Sequence, residues 1–87
     1  MSDKIDQKVI SERLAARLGQ DPTVVAKLVD GTFEELYQAF KREEKVTIRN
    51  FGTFYLDVRR SGTVFKFNPA QRLRALFGWS STYQGEL

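Results

Sequence analysis

Arg49, Arg59, Arg60, Lys66 and Arg72 are the side chains whose type and spacing suggest chemistry, and the chemistry they suggest is ion pairing with phosphate. Residues 45–74 hold seven basic side chains against one acid, Asp57, a local balance of +6. The remaining residues hold seven basic and ten acidic side chains, a balance of −3. A split of this size within one small domain points to a polyanion, and hence to a nucleic-acid surface. Tyr55, between these cations in sequence, could lie against a sugar or an exposed base. Each assignment has a plainer counterpart. Lys66 could serve only to pair with Asp57, Arg74 could be solvated or paired with a helix acid, and Tyr55 could simply cover the sheet.

Other chemistries find little support. The chain has no His and no Cys, so it lacks the usual base, nucleophile and soft metal ligand, and no catalytic or metal-binding residue and no cofactor is expected. Glu34-Glu35 and Glu43-Glu44 are adjacent pairs, and neighbours on a helix diverge by about 100°, so they make no paired-carboxylate site. The first residues lack the continuous apolar run of a signal peptide, and nothing reaches the ~20 apolar residues of a membrane span. A cytoplasmic location and no membrane partner are therefore expected.

The elements that must position the cations follow from periodicity. Ile5, Val9, Ile10, Leu14 and Leu18 recur at helical spacing, which predicts a helix from about Asp3 to Leu18 that stops at Gly19. Asp21-Pro22 pairs a favoured N-cap with a favoured first helical residue. The second helix is predicted from Pro22 to about Glu43, with Val25, Leu28, Val29, Phe33, Leu36, Tyr37 and Phe40 as its apolar stripe. Gly31 inside it suggests close helix packing. After Lys45 the period changes to two, giving short strands on either side of Phe51-Gly52 and a hairpin turning at Ser61-Gly62. That turn pairs Val58 with Phe65, Leu56 with Phe67 and Asp57 with Lys66. Pro69–Phe77 is predicted to form a short last helix ended by Gly78. The tail is expected to dock its two rings, Trp79 and Tyr83, on the body or on a partner.

The run Glu44-Lys45-Val46-Thr47-Ile48, followed by Asn50-Phe51-Gly52-Thr53-Phe54, resembles the HU and integration host factor family of dimeric bacterial DNA-binding proteins. Its G-F-G-T-F motif is matched except that Asn50 stands for the first glycine, and the likeness covers about residues 5–77. The resemblance implies an α+β, IHF/HU-like intertwined dimer. In it, two N-terminal helices form the base, a three-stranded antiparallel sheet forms a saddle over DNA, and a short C-terminal helix follows. Phe33, Phe40, Phe51 and Phe54 would form the dimer core. Gln71 and Arg72 would fall where the family touches phosphates near a helix N-terminus. The family's long β-arms, whose tips wedge a proline between base pairs, have no counterpart here, because Arg59-Arg60-Ser61-Gly62-Thr63 closes the hairpin at once. Asn68-Pro69-Ala70 matches the entry to the last helix rather than the wedge.

The expectation is thus a domain over residues 1–78 with a tail at 79–87. It binds DNA, taken to be duplex, as a homodimer without sequence preference or arm-mediated kinking. The rival expectation is an HU-fold protein-interaction or assembly module that has lost DNA binding and meets a protein partner through the hairpin tip or the tail.

Overall fold

The computed structural model describes residues 3–87. The chain divides into two compact units, one reaching to Leu36 and the other running from Tyr37 to Leu87.

In the first unit, α1 (Gln7–Leu18) starts later than its apolar spacing suggests, because Asp6 takes an extended conformation and caps it. The Asp6 carboxylate accepts a hydrogen bond from the Val9 amide at 3.1 Å, satisfying one of the free donors of the first turn. The helix ends on Gly19 in the left-handed region, φ 63°, and the Gln20 amide closes on the Ala15 carbonyl at 3.0 Å. In α2 (Pro22–Lys41), Asp21 acts as foreseen, its carboxylate accepting from the Thr23 amide at 2.8 Å. The helix stops two residues short of Glu43, which adopts φ 59°.

The most buried side chains of this unit are small: Ala15 and Val25, followed by Ser11. Gln7 donates to Asp30 across the helix pair. Ile10 and Leu18 of α1, and Val24, Leu28 and Phe33 of α2, remain about half exposed. The close packing expected at Gly31 is not found, since a Cβ there would meet nothing within 4 Å. Two helices alone cannot enclose stripes this broad, so the apolar faces are left open.

The second unit is built on a three-stranded antiparallel sheet in the order β1-β2-β3, formed by β1 (Val46–Ile48), β2 (Gly52–Arg59) and β3 (Gly62–Pro69). The β1–β2 turn closes with the Phe51 amide bonded to the Ile48 carbonyl at 3.0 Å, and Asn50 within it has φ 63°. Asparagine tolerates this left-handed conformation better than any other residue with a Cβ, which explains how Asn50 can stand where glycine was expected. The β2–β3 hairpin corrects the sequence reading. The turn residues are Arg60-Ser61, and the register pairs Leu56 with Phe65, Phe54 with Phe67, Tyr55 with Lys66 and Gly52 with Pro69. The expected register, two residues away, would have set Pro69 opposite Phe54, leaving the ladder without an amide there and moving Phe67 away from its place opposite Phe54. A slip of two leaves every side chain on its predicted face.

One face of the sheet is aromatic. Phe54 lies 4.6 Å from Phe67 and 5.9 Å from Phe65 between ring centroids, Phe51 lies 5.7 Å from Phe67, and Phe40 from the end of α2 meets Phe65 edge-on at 5.0 Å. Gly52 makes this possible. It is buried, and a Cβ there would run into the Phe67 ring and approach the Asn68 carbonyl oxygen to 2.7 Å. The last helix, α3 (Gln71–Leu76), is shorter than predicted because Pro69 finishes β3 instead of opening the helix. Its entry is fixed by the Ala70 amide bonding the Phe51 carbonyl at 2.9 Å.

Replacing Gly52 with Ala should destabilise the protein by about 1–3 kcal/mol through overpacking, read as a lower urea midpoint at unchanged slope. Asn50→Val should cost a similar ~1–3 kcal/mol by strain at positive φ, whereas Asn50→Gly should leave the midpoint nearly unchanged.

Candidate nucleic-acid interface

The second face of the sheet is polar. Strand alternation and register place Thr47, Thr53, Tyr55, Asp57, Arg59, Lys66 and Asn68 on it together. Tyr55 stands directly opposite Lys66, and the Lys45 ammonium lies over the Tyr55 ring, 5.8 Å from its centroid. Lys45 is the residue that sequence reasoning counted but did not choose. Its position at the head of the first strand, in phase with Thr47, was the available signal. The ammonium held over an aromatic face gains a modest cation–π attraction and keeps its charge on the same surface.

Asp57 is the organising group. Its Oδ2 accepts from Arg59 Nε at 3.1 Å and Nη2 at 3.0 Å, and pairs with Lys66 Nζ at 3.2 Å. The expected Asp57–Lys66 pair therefore forms, but diagonally across the ladder. The Arg59 guanidinium first, and Lys66 second, hold the Asp57 carboxyl below its ordinary value of 3.8. The carboxylate is 34% exposed and its two partners more so, so the pairing orders side chains rather than adding much stability. Two cations around one anion leave the cluster with a net charge of +1, and Lys45 adds its own charge to the same face.

The other predicted residues fall as follows. Arg49 is exposed in the β1–β2 turn and Arg60 is exposed in the hairpin turn, and neither forms an ion pair among the described residues. Arg72 lies on α3 beside Asn50 and Phe51, while Gln71 donates to Thr82 of the tail at 3.1 Å. Arg74 departs from both readings offered for it. Its Nε bonds the Pro69 carbonyl at 3.0 Å and its Nη2 bonds the Asn68 side-chain oxygen at 2.6 Å, so it braces the junction of β3 and α3. Of the four phenylalanines assigned to a dimer core, Phe40, Phe51 and Phe54 share the aromatic cluster, whereas Phe33 belongs to the helical unit.

The sequence pattern of the family described as "Bacterial DNA-binding protein" matches residues 5–70. The chain belongs to that family. Membership sets it among the HU and integration host factor proteins, which are DNA-binding proteins rather than enzymes. It is 32% identical to integration host factor subunit alpha from Pseudomonas aeruginosa over 82 residues, covering 76% of this chain and 82% of that protein. The fold is similar to that of HU from Thermotoga maritima, with a TM-score of 0.71 and 27% identity, covering 84% of this chain and 98% of that one. A single-substitution variant of the same HU gives a TM-score of 0.74, again at 27% identity, over 84% of this chain and 99% of that one. The alignment with the Pseudomonas protein is 82 residues long but uses only 76% of this 87-residue chain, so the relative is the longer of the two over the matched span.

The Asp57 cluster has a direct consequence for pH. A carboxyl whose folded value is lowered contributes stability that is present above its unfolded value and lost as pH falls through the folded one. Carbon-detected NMR should therefore show Asp57 titrating below 3.8 in the parent and moving up toward that value in Arg59→Gln. The hairpin's contribution should be constant at neutral pH and decline only below that ordinary value.

Proposed function

We propose that the protein binds duplex DNA as a homodimer without strong sequence preference, through phosphate contacts made by the polar sheet face and the hairpin turn. The observation that carries this reading is the grouping of Lys45, Arg59 and Lys66 on one sheet face with Arg60 at its tip, against a single acid, in a member of a DNA-binding family. Arg49 and Arg72 are further phosphate contacts in this reading, Tyr55 lies against sugar or an exposed base, and Gln71 adds a polar contact at α3. Pairing with a second copy is supported by what one copy leaves uncovered: Leu28, Phe33, Tyr37, Phe51 and Phe65 are each at least 44% exposed. Apolar surface of this extent marks an interface, and obligate dimers bury such faces as a divided core.

The binding mode follows from the hairpin. Because it closes in the two residues Arg60-Ser61, with no extended arm beyond Arg59, no wedge can be driven between base pairs. What remains is counterion release, which is strongly salt-dependent and gives affinities of roughly 10⁻⁴ to 10⁻⁶ M at physiological salt. The domain in this reading comprises residues 1–78 with 79–87 as a tail, and its place is the cytoplasmic nucleoid. No helix among the described residues is long and apolar enough to cross a membrane.

The rival reading, an assembly module meeting a protein through the hairpin tip or the tail, is favoured by the exposure of Phe77 and Trp79, at 57% and 68%. A fluorescence-anisotropy titration with duplex and single-stranded oligonucleotides at two salt concentrations separates the two. Salt-sensitive binding of duplex is expected. Arg59→Glu with Arg60→Glu should abolish it, or reduce the slope of log K against log salt by about two if one phosphate is lost per arginine, while thermal unfolding stays unchanged. Absence of binding even at low salt would favour the assembly module.

A further inference from the structure

We infer that residues 79–87 are an intramolecular ligand for the groove beside α3, where they compete with nucleic-acid phosphate for Gln71 and Arg72. This rests on the DNA-binding reading above. Gly78, at φ 78°, takes the chain out of α3 through a left-handed turn. The Trp79 amide then bonds the Arg74 carbonyl at 2.6 Å, and the Trp79 ring packs on Phe77 with centroids 5.1 Å apart. From there the segment runs back along the helix. Gln71 Nε2 donates to Thr82 Oγ1 at 3.1 Å, and Leu87 forms one wall of a groove whose other lining residues are Asn50, Phe51, Arg72, Leu73 and Leu76.

The segment is tied to itself as well as to the helix. Ser80 Oγ lies 3.2 Å from Thr82 Oγ1, Gln84 Nε2 donates to the Thr82 carbonyl at 3.4 Å, and the Tyr83 hydroxyl donates to the Glu86 carbonyl at 3.3 Å. Thr82 is the centre of this hook, since its hydroxyl meets both the tail's own serine and Gln71. Glu86 is the only charged side chain among residues 79–87, so the segment itself is acidic. The latch is light. Its polar contacts are solvent-exposed, and Leu87 is still 61% exposed, so each contact contributes little net free energy. A light latch suits a competitor, because it lowers the apparent affinity for DNA by the fraction of time it is closed and yields when phosphate is abundant.

Two readouts on the full-length chain test this. The first is anisotropy of a labelled duplex at low salt, with the parent and with Thr82→Val combined with Leu87→Ser. The second is the emission of Trp79, the single tryptophan of the chain, which reports whether the segment moves when DNA binds. The double variant should bind about three- to tenfold tighter, as expected on release of a latch that is closed about two-thirds to nine-tenths of the time. Its thermal unfolding should match the parent's, and duplex should shift Trp79 emission in the parent. Equal or weaker binding by a normally folded variant, with Trp79 emission indifferent to duplex, overturns the inference and leaves DNA binding standing. If neither protein binds duplex at low salt, the DNA-binding reading fails and takes this inference with it. If the double variant unfolds early, Leu87→Ser alone is judged by the same two readouts.

Discussion

The aromatic cluster on one face of the sheet is the interaction on which the rest depends. Phe54 touches Phe40, Phe51, Phe65 and Phe67, so a single ring links the end of α2, the β1–β2 turn and β3. Ring pairs of this kind add directional preference to area burial. Because the rings claim one face, strand alternation leaves Tyr55, Asp57, Arg59 and Lys66 on the other. The polar surface is thus a by-product of where the phenylalanines must go. Gly52 is the tolerance in the arrangement, the one position where a side chain would push the Phe67 ring off the strand.

Electrostatics on the polar face is set by one acid rather than by the number of cations. Asp57 gathers Arg59 and Lys66 onto a single carboxylate oxygen, which orders two long side chains that would otherwise wander and halves their net charge. Arg60, with no such partner among the described residues, presents its charge undiminished at the turn. In the function proposed above, an ordered pair beside an unpaired arginine serves backbone positioning rather than base readout, because phosphate contacts need charge at the right spacing and carry no sequence information. The tail adds a second constraint at α3, where Gln71 is already engaged.

Much of the architecture was legible in the chain. Asp6, Gly19 and Asp21-Pro22 act through local rules of capping, and the change of period after Lys45 marks the sheet. What was misread lay where two local solutions compete. Ser61-Gly62 and Arg60-Ser61 are both acceptable two-residue turns, and only the need to set Phe67 against Phe54 and to keep Pro69 at the strand end decides between them. Arg74 looked like a surface charge because the Pro69 carbonyl and the Asn68 side chain, five and six residues before it, are brought within its reach only by the turn from β3 into α3. Gly31 promised a close contact that one copy of the chain does not make.

By itself the sequence determined the order and type of the elements, the two faces of the sheet and the excess of positive charge between residues 45 and 74, since each depends on neighbours within a turn or on alternation along a strand. Only the tertiary structure decided the register of the hairpin, the addition of Arg59 to the Asp57–Lys66 pair, the place of Lys45 over Tyr55, and the return of the tail to Gln71. These depend on how strand pairing and the turn out of α3 bring side chains together, and packing rather than local preference sets those distances.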